Sequence, residues 1–458
     1  MATLHDSLIV GAARKIDPSR RPSRHVMRRA IAEGALLPDG TPNDNDRVET
    51  GPTDLAFREW AALGLEIPNL DTIRAYRKSR LVREIGLRGL GGLLMFDPLN
   101  IRYATDTTNM QLWIAHNPCR ACLVLADGHM VLWDFHSSEH LSAHLPLVDE
   151  VRHGASFFYF ESGDRGAEHA ARFCAQVDDL MRAHAPGERG LGVDKMELAG
   201  IDALRALGYR LTEGQAVTEH ARKIKSGEEL KAMRCSIAAC EAAMAEMQAA
   251  TRPGMAEVEA WAEMQRGNHI RGGEWVETRI LSSGPRTNPW FQECGPRIMQ
   301  DGELLAYDTD MVGPYGYCAD LSRTFAIGEK DPGDYARDLY KAAVEHIRIN
   351  MAELAPGVSF RELAERGDPL PDRFRAQRYG VKYHGVGLCD EYPAIRYPDD
   401  WEDVGYDGVL EPGMCLCVEV YFGEVGGPCG VKLEDQVVIT ETGHENLTRI
   451  PFEADLLR

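Results

Sequence analysis

The last third of the chain carries six side chains of the kinds that hold divalent metal ions, at spacings that strands would gather. Three lie in YDTDMVGPYGYCAD. Asp308 and Asp310 are two residues apart, which on a strand puts both on one face, and Gly313-Pro314 then turns the chain so that Asp320 returns on a neighbouring strand. Three converging carboxylates repel one another and require protons or a cation. Glu419 in MCLCVEVYF and Glu434 in GVKLEDQVVI add two acids inside apolar runs. Taken singly, a strand glutamate more often points to solvent. Together with the Asp cluster and His384 in HGVGLCDEYP, they make an oxygen-rich set with one imidazole. Such a set suits two divalent first-row ions bridged by carboxylates, with Fe favoured and Mn, Zn or Co also fitting.

These side chains need sheets to carry them. Residues 1–68 read as a polar N-terminal arm, whose LLPDGTPNDNDRVETGPT stretch predicts little structure of its own. From Asn69 the pattern becomes α/β. LDTIRAYRKSRLVREIG predicts a helix, GGLLMF a short strand, and ACLVLADGHMVLWDF a hairpin turning at Asp127-Gly128. A helix near 167–184 and the strand RGLGVD extend this domain over 69–222. The second domain, 223–458, opens on a long helix from Ser226 to about Ala250, whose Met and Ala stripe reads as core packing. Strands follow in WVETRILSSG, ELLAYDTDMV, YGYCADLSRTFAIG, MCLCVEVYF and GVKLEDQVVIT, with one long helical region near 332–355. Strands in runs with helices grouped apart predict an α+β fold. No internal repeat or P-loop is present, and the glycines of GLRGLGG precede a strand where a dinucleotide fingerprint would follow one.

The composition narrows the setting. The 458 residues, 44% hydrophobic and 27% charged, describe a globular protein of two domains. A net charge of -20 argues against nucleic acid or an anionic membrane as partner. Eleven scattered cysteines, an odd number, suggest a reducing cytoplasm, and Cys119-Arg-Ala-Cys122 has no second pair at zinc-site spacing, so it reads as structural. No apolar run approaches the about 20 residues of a membrane helix, and SLIVGAA has no basic region before it, so no signal peptide is expected.

The order Asp, Asp, His, Glu, Glu, with ARKIKSGEELKAMR, DLSRTF, EPGMCLCVE and VKLEDQVVIT, resembles the pita-bread metallopeptidases: aminopeptidase P, prolidase and methionine aminopeptidase, with creatinase as a non-metal relative. The resemblance implies a pita-bread catalytic domain behind a smaller creatinase-like domain. Three departures accompany it. The peptidase spacing of the first two acids falls between the twelve residues separating Asp308 from Asp320 and the ten separating Asp310 from Asp320, which suggests an additional ligand. SSGPRTNPWFQECG lacks the histidine that peptidases carry there and offers Trp290 and Phe291. Where the peptidase loop has its second histidine, this chain has Glu391, beside Asp390.

A narrower resemblance spans residue 43 to near the C-terminus. GGLLMFDPLNIRYATDTTNMQLW, RGGEWVETRILSSGPRTNPWFQECGPR and HGVGLCDEYP are similar to the metal-dependent dimethylsulfoniopropionate (DMSP) lyases of marine bacteria, the DddP type. That family's metal ligands fall on the same six residues and its proposed base on Asp390, while Phe325-Ala326 and Tyr392 depart from it. The implied reaction is β-elimination of a zwitterion to acrylate and dimethyl sulfide. The base removes the proton alpha to a carboxylate whose developing enediolate character a Lewis acid stabilises. Burial among carboxylates would raise the pKa of Asp390 and strengthen it as a base, although Asp390-Glu391 also reads as a solvated acidic turn. Tyr379 matches a tyrosine of the lyase pattern and would orient the carboxylate or assist proton transfer. A sulfonium needs aromatic faces, and Trp113, Trp290 and Tyr392 are the candidates, each of which also reads as packing. The resemblance further implies a cytoplasmic homodimer. A metallohydrolase for Xaa-Pro or related amides, and a metal-binding relative without turnover, are the alternatives.

Overall fold

The structure, a computed structural model, describes residues 9–12, 36–41, 50–138, 141–142 and 145–458. The chain divides into two units: Pro68–Arg222 with the described residues before Gly51, and Gly51–Ile67 with Lys223–Arg458.

The first unit is built on strands β1 (Ile9–Ala12), β2 (Gly92–Met95), β3 (Ala121–Leu125), β4 (Met130–Asp134), β5 (Glu150–His153), β6 (Gly190–Val193) and β7 (Arg210–Glu213). They form one mixed sheet in the order β1-β5-β4-β3-β2-β6-β7. The β3–β4 hairpin turns at Asp127-Gly128, where Gly128 adopts φ +89°. β2 and β3 are buried along their whole length, which their continuous apolar runs require. Helix Gly166–His184 lays Phe173 and Val177 against Leu94, Leu123 and Trp133.

The second unit adds β8 (Trp275–Val276), β9 (Leu281–Ser283), β10 (Leu304–Asp308), β11 (Met311–Val312), β12 (Cys318–Ala319), β13 (Ser322–Ala326), β14 (Tyr383–Val386), β15 (Asp390–Ile395), β16 (Cys415–Gly423), β17 (Gly430–Ile439) and β18 (His444–Asn446). The main antiparallel sheet runs β15-β14-β16-β17-β13-β10-β9, with β18 paired to β17, and β12-β11-β8 form a small second sheet. Alternation along β16 and β17 separates two functions. Leu416, Val418, Val420, Phe422, Val431, Leu433 and Val437 join Leu339, Ala343 and Ile347 of helix Asp334–Ala352 in one apolar core. Cys417, Glu419, Lys432 and Glu434 therefore face the other way, and they too are buried. The long helix Gly227–Ala250 starts at a capping box between Ser226 and Glu229.

One boundary differs from the sequence reading. The arm was expected to run to residue 68, but Asp54–Ala62 is a helix of the second unit. Its polar residues mask two anchors: Ala56 and Trp60 are buried, and Trp60 stacks on Tyr315 at 5.8 Å and meets Phe57 edge-on at 5.6 Å. Glu59 accepts two hydrogen bonds from Arg271, at 2.7 and 2.9 Å. Within the rest of the arm, Ile9–Ala12 of SLIVGAA pairs with β5, and most of the remainder lies outside the described residues. Trp60→Ala should therefore destabilise the second unit by about 3–5 kcal/mol, read as a lowered urea midpoint, whereas Trp60→Phe should lose far less.

Candidate metal centre and active site

Strand register builds the centre. Asp308 on β10 lies opposite Ser322 on β13, Ser322 opposite Glu434 on β17, and Glu434 opposite Glu419 on β16. Directly paired residues share a face, so four adjacent strands deliver three carboxylates in one row. Ser322 Oγ lies within it, 2.7 Å from Asp308 and 2.8 Å from Glu434, with one proton to donate to either. On β14, His384 lies opposite Cys417 and turns Nε2 to within 3.2 Å of Glu434, 3.3 Å of Glu419 and 3.5 Å of Asp320. Its Nδ1 lies 3.1 Å from the Gly385 carbonyl, which only accepts, so Nδ1 carries a proton and Nε2 is the nitrogen free to ligate.

Asp310 arrives by a different route from the one expected. β10 ends at Asp308, and Asp310 stands at the corner leading to β11 with φ +36°, where the chain passes from the large sheet to the small one. Left-handed backbone, tolerated by aspartate, brings it to the cluster where continuous strand alternation was expected to. Thr278 Oγ1 holds its carboxylate at 2.6 Å. Asp308, Asp310 and Asp320 thus offer oxygen atoms within 4.8 Å of one another, and Asp308, Glu419 and Glu434 do the same.

Concentrating buried acids has electrostatic consequences. Burial, then the neighbouring carboxylates, pushes Asp310 and Asp320 well above the usual carboxylate range, and Glu419 is pushed up to about 8 by burial that Lys432 offsets in part. Burial acts the same way on Glu434, but Lys432 and His384 together hold it well below. Burial opposes protonation of His384, yet Asp390, Glu419 and Glu434 raise it well above the ordinary imidazole value. Glu419 Oε1 is buried and accepts no hydrogen bond. An excess of buried negative charge, an orphaned carboxylate oxygen and one imidazole nitrogen fit a divalent-ion site. The six expected residues are the ones brought together.

Two members of the centre escaped the sequence reading. Lys432, fully buried, reaches Glu434 at 2.7 Å, Glu419 at 2.8 Å, Ser322 at 2.8 Å and Asp308 at 3.1 Å. The signal was present, since a lysine two residues before Glu434 on a strand must share its face. Cys417, two residues before Glu419, joins Asp320, His384 and Glu434 in a group whose donor atoms lie within 4.8 Å.

The loop HGVGLCDEYP is a β-hairpin, with Val386 opposite Asp390 and Gly385 opposite Glu391. The two acids part company. Asp390 has a side chain 54% exposed, with Oδ1 3.6 Å from His384 Nδ1, so the burial expected to tune it as a base is absent. Glu391 is wholly buried and paired with the ammonium of Lys225. Gly387 makes the room: a Cβ there would stand 2.4 Å from Glu391 Oε1.

The aromatics divide as well. Tyr379 lies 4.7 Å from Lys432 Nζ, its phenol pushed well up by burial and Glu419. Trp290 stacks on Tyr421 at 5.7 Å and is buried, while Tyr392 is sandwiched with Tyr406 and Phe360. Trp290 is taken up by packing, and Tyr392 is half-buried. Trp113, in the first unit, meets Phe135 and Phe158 edge-on. Removing the central cation is the sharpest test of the centre. Metal-free Lys432→Met should lose about 3–5 kcal/mol, and saturating Mn2+ should raise its Tm more than it raises that of the wild type, as scanning calorimetry would record.

Known proteins place this geometry. Residues 231–441 match metallopeptidase family M24. The chain is 51% identical over 449 residues to the dimethylsulfoniopropionate lyase DddP of Roseovarius nubinhibens, covering 97% of this chain and 98% of that protein. Against the protein of the same name from Roseobacter denitrificans it is 50% identical over 451 residues, at 97% and 98% coverage. The Xaa-Pro dipeptidase of Bacillus anthracis shares the pita-bread α+β fold, with a TM-score of 0.65 at 22% identity over 82% of this chain and 98% of that one. Among the described residues no helix is long and apolar enough to cross a membrane. With half-identity along nearly its whole length, the chain belongs to the family of these DddP proteins, and its residues 231–441 carry the match to metallopeptidase family M24.

Proposed function

We propose that this chain is a metal-dependent carbon–sulfur lyase that cleaves DMSP to acrylate and dimethyl sulfide. What carries the proposal is the hairpin. At the position of the second peptidase histidine stands Glu391, neutralised by Lys225 and closed off from solvent, while the adjacent Asp390 stays open beside His384. An open carboxylate whose neighbouring position holds a neutralised glutamate suits proton abstraction from carbon better than acid–base cycling on an amide. The two relatives at about half identity bear the name of this lyase, which supports the choice of substrate.

Asp308, Asp310, Asp320, His384, Glu419 and Glu434 would hold two divalent ions, Fe favoured and Mn, Zn or Co possible. When bound, they supply Lewis-acid stabilisation to a substrate carboxylate as its alpha carbon loses a proton. Asp390 takes that proton, the C–H pair becomes the new double bond, and the C–S pair leaves with neutral dimethyl sulfide. Lys432 keeps Asp308, Glu419 and Glu434 in place through its three ion pairs, and Tyr379, against it, borders the reacting end. The free cysteines suit a reducing cytoplasm. A homodimer is the expected assembly.

Metal-loaded protein offered DMSP and a Xaa-Pro dipeptide separately should release dimethyl sulfide and acrylate from the first only. Proline release would sink the proposal, and silence with both would favour a binding protein. Asp390→Ala should cut turnover by about 10²–10⁴-fold with metal content unchanged; metal loss would make it a ligand. Asp310→Ala should lower the metal-to-protein ratio measured by mass spectrometry, and full occupancy would reduce Asp310 to a structural role.

A further inference from the structure

The positive end of a DMSP-like zwitterion needs an aromatic face. Of the three expected from sequence, Trp290 is buried on Tyr421, Tyr392 is stacked on Tyr406, and Trp113 lies in the first unit against Phe135 and Phe158. The residue after Trp290 offers another ring. Phe291 is 62% exposed, and its backbone sits at φ +67°, a left-handed conformation that bulky side chains disfavour. Among the described residues of the second unit it is the only exposed large apolar side chain held in that way. Its ring stacks on Tyr379 with centroids 5.3 Å apart and an interplanar angle of 24°. Tyr379 in turn lies against Lys432, which touches Asp308, Glu419 and Glu434. Phe291 is therefore linked to the carboxylate cluster through two residues, Tyr379 and Lys432.

We infer that Phe291, backed by Tyr379, is the aromatic face that receives the dimethylsulfonium group, an inference resting on the DMSP-lyase reading above. Tyr379 is already engaged by Lys432 and Phe291, so the ring surface left for a cation is that of Phe291. A dimethylsulfonium is a weakly hydrated cation with an apolar surface that a π-face attracts, whereas an analogue with CH in place of the sulfonium sulfur gains only from buried area. The backbone fits this role. Trp290 turns inward to pack on Tyr421, and the left-handed residue after it turns the next ring outward. An exposed Phe forgoes burial of its own, and a bound methylsulfonium would restore it.

The test needs no turnover. Metal-loaded protein carrying Asp390→Asn is titrated calorimetrically with DMSP and with 4-methylpentanoate, the isostere that keeps the carboxylate and lacks the sulfonium charge. DMSP should bind about tenfold more tightly. Phe291→Leu should reduce that preference to near unity, and Phe291→Trp should retain it, with metal content unchanged in both. A preference that survives in Phe291→Leu overturns the inference, as does its loss in Phe291→Trp or its absence from the Phe291 protein. Failure of the lyase reading is scored separately, by whether the wild type releases dimethyl sulfide.

Discussion

Five carboxylates and one imidazole can share a buried face only if something positive stands among them. The second unit is arranged around that constraint. Strand register forces Asp308, Glu434 and Glu419 into one row, where burial and mutual repulsion oppose ionisation. Lys432 supplies one fixed positive charge, delivered by the same strand as Glu434, and ties three of the acids directly. The remaining negative charge is what a pair of divalent ions would balance. The apolar face of the same strands, against helix Asp334–Ala352, keeps the row from shifting, because a slip of one residue would exchange ligands for core.

The same scaffold carries different chemistry in the M24 family, and the hairpin after His384 is where this chain diverges. A buried Lys225–Glu391 pair holds the strand that begins at Asp390. Such a pair is costly to break, and the neighbouring carboxylate of Asp390 stays open. The aromatics follow a similar pattern. Trp290 packs on Tyr421 and Tyr392 on Tyr406, while Phe291 stacks on Tyr379, which lies against Lys432.

Much of this was legible in the sequence. Period-two alternation in MCLCVEVYF and GVKLEDQVVI marked the strands, and acids within apolar runs marked the ligands. The same logic applied to Lys432 would have found the central cation, because its place two residues from Glu434 fixes its face. Helix Asp54–Ala62 was concealed by its neighbours: a polar surface helix at the end of a polar stretch looks like arm until Trp60 is seen to stack on Tyr315.

The sequence by itself determined the donor types, their order and the faces on which Glu419 and Glu434 stand, because a strand repeats every two residues and apolar positions must be buried. Only the tertiary structure decided which donors meet. Register between strands distant in sequence, a left-handed corner at Asp310, and the different fates of Asp390 and Glu391 depend on long-range pairing that no local pattern encodes. Exposure was the last to be settled. Two adjacent acids, or two adjacent aromatics such as Trp290 and Phe291, are equivalent in sequence until the fold buries one and leaves the other open.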